Sequence, residues 1–146
     1  MAVLGDAFPE GFKDEYADGN IKPGIVLKLH IPEFNIGHPK RFAIVGVHKK
    51  ESVLVVVFNS ENNAPHRIKD LSLKVKCDGK DYLDKDCYAN CAVPREFTFS
   101  WLLKSVKDNP GCVLGVMDGK DLGLLQMTLS KARTVNNKIK SKYKIV

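Results

Sequence analysis

The chain has 146 residues, 44% hydrophobic and 27% charged, with a formal net charge of +6. This suits one globular domain and argues against wholesale disorder. The longest apolar run, Val53 to Phe58, is far too short to cross a membrane, which takes about 18 residues. The opening MAVLGDAFPEGFKDEY carries acids and no continuous apolar stretch, so no secretory signal is expected and the cytoplasm is the expected location.

An acidic leader, residues 1–22, comes first, with Asp6, Glu10, Asp14, Glu15 and Asp18 set against Lys13. Pro23-Gly24 then punctuates the chain before GIVLKLHI, whose β-branched and leucine content predicts a strand. PEFNIGHPKR is a loop of turn residues. RFAIVGVHKKESVLVVVFNS reads as two apolar strands joined at KKES, a hairpin, and ENNAPHRIKD as a second polar loop. LSLKVKC alternates, with Leu71, Leu73, Val75 and Cys77 on one face. After the turn-rich DGKDYLDKD, CYANCAVP predicts a fifth strand with Pro94 at its exit. FTFSWLLKSVKD predicts a short helix. MDGKDLGLLQMTLSKAR predicts another, with Asp118 as N-cap and Leu122, Leu125, Met127 and Leu129 as its apolar face. The last sixteen residues, 131–146, hold six Lys/Arg and no acid, and read either as a solvated basic tail or as a contact for a polyanion.

Short antiparallel strands followed by helices predict an α+β, mainly β domain: a small curved antiparallel sheet or barrel with C-terminal helices. One domain, 1–146, divides into the leader, a barrel core over 23–97, a helical part over 98–130 and the tail.

Searches for chemistry exclude more than they find. No G-x-S-x-G, HExxH, EF-hand or phosphate-loop pattern is present, and Cys87-x3-Cys91 has no second ligand pair to complete a zinc site, so no metal or cofactor is expected. Cys91 and Cys112 read as small buried hydrophobes, and all four cysteines as reduced thiols. The polar residues that stand out are His38, Lys40 and Arg41 at the start of one hairpin strand, and Asn59, Ser60, Asn62 and Asn63 after the other. Antiparallel pairing puts Arg41 and Ser60 at the same sheet edge. A guanidinium and a hydroxyl there suit a phosphate, gripping two oxygens and adding a further hydrogen bond. Both are also ordinary turn residues.

In PGIVLKLHIPEFNIGHPKRFAIVGV, VLVVVFNSENN, LSLKVKC and CYANCAVPREF, the segment from Pro23 to Phe97 resembles the MazF/PemK (Kid-like) toxin endoribonucleases of toxin–antitoxin systems. The resemblance implies an SH3-like, strongly curved barrel and a homodimer with RNA across its groove, silenced by a cognate antitoxin protein. It implies metal-independent cleavage of single-stranded RNA, the ribose 2′-hydroxyl attacking the phosphate to leave a 2′,3′-cyclic phosphate. Arg41 falls on the family's catalytic arginine and Ser60 on its hydroxyl residue. His38, Lys40, Asn59, Asn62, Arg67, Asn90 and Arg95 are the implied RNA-binding residues, and Tyr88 either stacks on a base or fills the sheet surface. The chain departs from the pattern at Phe42, Phe58 and Asn59, where the family carries prolines, and at Asn90 and Ala92, where some members carry Arg and Asp. Those losses leave a second reading open, a non-catalytic module that binds nucleic acid or a protein on the same barrel.

Overall fold

The structure is a computed structural model describing residues 10–34, 37–62 and 64–145, with side chains from residue 15 onward except that of residue 33. The first nine residues of the acidic leader, and Asn63, therefore lie outside the described residues.

Eleven main elements follow in chain order: α1 (Glu10–Gly19), β1 (Ile25–Leu29), β2 (Lys40–His48), β3 (Ser52–Asn59), β4 (Ser72–Val75), β5 (Cys87–Asn90), β6 (Arg95–Thr98), α2 (Phe99–Asp108), β7 (Val113–Val116), α3 (Gly119–Lys131) and α4 (Asn137–Lys142). The strands form one antiparallel sheet in the order β4-β5-β3-β2-β1-β7, and β6 also pairs with β3. Among the described residues β4 and β7 do not pair, so the sheet is open and the expected closure into a barrel is not found.

The reason lies in β3. Every residue from Val53 to Phe58 is at most 5% exposed, so both of its faces are covered. Leu54, Val56 and Phe58 join Ala43 and Val45 in a core completed by Leu125 and Leu129 of α3 and by Val135, Tyr143 and Ile145. Val53, Val55 and Val57 join Phe42 and Ile44 in a second core, with Ala17 of α1 and Leu102 and Val106 of α2. A strand covered on both sides reads as a continuous apolar run. Helices on both faces remove the need for the sheet to curl over its own core. The outer edge of β3 is shared in series: β5 pairs with Phe58 and Asn59, and β6 with Ser52–Val55.

The hairpin forms as expected, its turn taking Lys49 and Lys50 through left-handed backbone (φ 52° and 56°). A bulge between Ile44 and Gly46 points Val45 and Gly46 to the same core. There the Tyr143 ring lies flat against the backbone: a Cβ added at Gly46 would sit 2.9 Å from Tyr143 Cβ. Gly46→Ala is therefore expected to cost about 1–3 kcal/mol by overpacking, read as a lowered urea midpoint; an unchanged midpoint would show that this contact gives way freely.

The helix α3 begins where expected, Asp118 Oδ1 accepting from the Asp121 N–H (2.8 Å), whereas the helix expected over FTFSWLLKSVKD begins at Phe99, because Phe97 and Thr98 pair with β3 as part of β6. Leu125 and Leu129 are buried, but Met127 is 53% exposed, because it sits on the solvent side of the turn that buries them. Two strands were not expected. β6 buries only Phe97 and carries no alternation, and β7 is a four-residue edge strand beside β1. The basic tail is the larger correction. Within it α4 buries no residue, as a solvated C-terminal helix would, but the stretches on either side pack into the core instead of forming a solvated arm, with Ala132, Val135, Tyr143 and Ile145 all buried. The Tyr143 hydroxyl donates to Glu96 Oε2 (2.7 Å) and accepts from the Ser52 hydroxyl (2.8 Å). Burial works against the Glu96 charge, but the Tyr143 hydroxyl and Lys142 outweigh it and hold the carboxyl below its ordinary value.

Candidate functional site

The site forms where β2 begins and β3 ends. Register pairs Phe42 with Val57, which sets Lys40 across from Asn59; the Lys40 ammonium donates to Asn59 Oδ1 at 2.9 Å. Side chains alternate along a strand, so Arg41 continues the row of Ala43 and Val45 and shares its face with Phe58, and Ser60 follows just past the end of β3. Arg41 and Ser60 line one cavity of about 290 Å³ together with Lys28, His38, Lys40 and Lys85.

Charge in this cavity is lopsided. Lys28 lies directly across from Arg41 on the neighbouring strand, an arrangement that is unfavourable between like charges unless an anion sits nearby. Among the described residues the one carboxylate lining the cavity is that of Asp84, whose Oδ1 is 3.3 Å from Arg41 Nη1. Asp84 is 66% exposed and Arg41 23%, so water screens the pair and it is worth about 0–1 kcal/mol. Asp84 also leaves the guanidinium short of partners. Arg41 Nε is buried with no hydrogen-bond partner among the described residues, a state that costs about 1–3 kcal/mol for a buried donor. Burial lowers the pKa of Lys40, an effect that Cys87 partly opposes. Burial pushes the Cys87 thiol up to about 11, although the Arg41 charge pulls the other way. Cys87 is therefore a neutral thiol near pH 7 and not a nucleophile.

Two further cavities adjoin this one, of about 530 and 450 Å³, and all three share Lys40 and Asn59. The second holds Ser60, Ser72 and Asn90; the third holds Phe34, Asn90, Val93 and Arg95. Together they make a trough along one end of the sheet, from Lys28 and Arg41 to Phe34 and Arg95.

Of the residues expected at the site, Arg41, Ser60, His38, Lys40, Asn59, Asn90 and Arg95 line this trough. Asn62 and Arg67 line none of its three cavities. Asn62 Oδ1 instead accepts from the Ala64 N–H (3.4 Å). Arg67 sits exposed in a 3-10 turn over His66–Leu71, its carbonyl taken by the Arg133 guanidinium. Tyr88 also lines none of them, lying between Asn59 and Lys74 in the sheet. Ala92 is buried and uncharged. Sequence reasoning missed Lys28, Phe34, Asp84 and Lys85. Lys28 had a signal, a lone cation inside an otherwise apolar strand. Asp84 and Lys85 had none, since they reach the site by docking of a long turn-rich loop.

Asp84→Asn is expected to tighten binding of a fluorescently labelled polyanion up to about 5-fold, the inverse of a screened ion pair's worth. Fluorescence anisotropy checks this, and unchanged or weaker binding would show that Asp84 does not compete for Arg41. No protein-family model, curated protein or solved structure matches this chain.

Proposed function

We propose that the chain is an endoribonuclease that cuts single-stranded RNA without a metal ion, as the toxin partner of an antitoxin protein. The observation that supports the reading is that Arg41 and Ser60 line one cavity, among cations. In this mechanism the RNA 2′-oxygen loses its proton and attacks the adjacent phosphorus. The bond from phosphorus to the 5′-oxygen breaks, giving a 2′,3′-cyclic phosphate and a 5′-hydroxyl that takes up a proton. Negative charge grows on the non-bridging oxygens as the phosphorane forms, where the Arg41 guanidinium and Ser60 hydroxyl stabilise it. His38 and Lys40 line the same cavity and are the side chains fitted to carry the two protons. A cytoplasmic homodimer, with RNA lying across both copies, belongs to the same reading.

The test is incubation of the purified protein with a single-stranded RNA in EDTA, followed by analysis of product ends. Cyclic phosphate and 5′-hydroxyl ends support the reading; intact RNA overturns the catalytic step. One observation favours a second reading, a binding module without catalysis: Asp84 already occupies Arg41, and Asn90 and Ala92 supply no charge for acid–base work. Binding of RNA with no cleavage by either the wild type or Asp84→Asn would select it.

A further inference from the structure

We infer that the cavity lined by Phe34, Val57, Asn59, Asn90, Val93 and Arg95 is a nucleobase pocket, taking one unpaired base of the RNA whose phosphate Arg41 holds. This inference rests on the RNA-binding reading above and adds what the site selects. An unstacked base has two apolar faces and a rim of hydrogen-bond donors and acceptors. The cavity offers the matching parts. Its volume is about 450 Å³, and its apolar walls are Phe34, Val57 and Val93. The Arg95 guanidinium lies over the Phe34 ring, 5.0 Å from its centre, so the ring backs a flat cation whose outer face is a plane on which any base can stack.

Two amides supply the rim. A lysine ammonium can only donate, so the Asn59 atom facing Lys40 at 2.9 Å is the carbonyl oxygen, and the amide NH₂ is left to donate. The Asn90 side chain is half-buried and has no hydrogen-bond partner among the described residues, so it presents both a donor and an acceptor. A base that offers an acceptor toward Asn59 and a complementary edge toward Asn90 satisfies both. Lys40 lines this cavity and the Arg41 cavity alike, which makes the two neighbours along one strand of RNA. The uncharged Asn90, a departure from the family pattern, thus acquires a role: an amide reads a base edge where a charged side chain grips a phosphate.

The experiment measures affinity for a short, fluorescently labelled single-stranded RNA with 2′-O-methyl sugars, which cannot be cut, and for the same backbone without bases. The wild type is expected to bind the abasic strand weaker by on the order of 10-fold or more. Phe34→Ala and Asn90→Ala are each expected to weaken binding of the base-bearing strand by on the order of 10-fold, and to leave binding of the abasic strand unchanged. Should Phe34→Ala fold poorly, Asn90→Ala and the wild-type comparison decide. Equal wild-type affinity for both strands, or an Asn90→Ala effect shared by both, overturns the base pocket and leaves the nuclease reading standing. Failure of the wild type to bind either strand overturns both.

Discussion

Replacing Arg41 with Ala is expected to slow RNA cleavage by about 10²–10³-fold, the usual effect of removing one donor aimed at developing oxyanion charge. Folding stability is expected to change by no more than about 1 kcal/mol, because the partner lost is a two-thirds exposed carboxylate. Removing the side chain also removes the buried, unpaired Nε, which offsets part of that loss. Arg41→Lys keeps the charge but not the fork and is expected to recover only part of the rate. Single-turnover cleavage rates and urea midpoints, measured together, check both halves. A rate equal to wild type would show that Arg41 does not touch the reacting phosphate.

The second large effect is on folding. Deleting residues 132–146 is expected to abolish cooperative unfolding altogether. The deletion strips Ala132, Val135, Tyr143 and Ile145 from the core, and full burial of a Val- or Ile-sized side chain is worth about 1.5–3 kcal/mol. Their sum is comparable with the roughly 5–15 kcal/mol that holds a whole domain together. It also strips the hydroxyl that bridges Ser52 and Glu96, and the Lys142 contact to Glu96 at 2.9 Å. Loss of the urea transition and of near-native circular dichroism would bear this out; a truncated chain melting at the wild-type midpoint would contradict it. The charge of this segment is consequently tested by neutralising exposed Lys138 and Lys144, which leaves the packing intact.

Local chemistry explains what was legible in the sequence. The hairpin was legible because its two apolar runs are long and its turn is charged, and the α3 N-cap because Asp118 acts within three residues. Arg41 and Ser60 were legible because antiparallel pairing alone sets them at one edge. Non-local decisions were hidden. β6 exists because β3 has an open edge there, not because Arg95–Thr98 favours a strand. The tail's six cations masked Val135, Tyr143 and Ile145, of which Tyr143 fills the space beside Gly46. The expected barrel failed on a readable clue. A run as unbroken as VLVVVF has no polar face to turn to water, which calls for cover on both sides and hence an open, three-layered arrangement. Asp84 reaches Arg41 across a separation of over forty residues, and no local pattern encodes that meeting.

A crystal structure with an uncuttable RNA bound, 2′-deoxy at the scissile nucleotide, tests the central claim most directly. The expected result is one phosphate within hydrogen-bond distance of both the Arg41 guanidinium and the Ser60 hydroxyl, with Asp84 displaced from Arg41. RNA bound elsewhere on the surface, with the Arg41–Asp84 pair undisturbed, would contradict it.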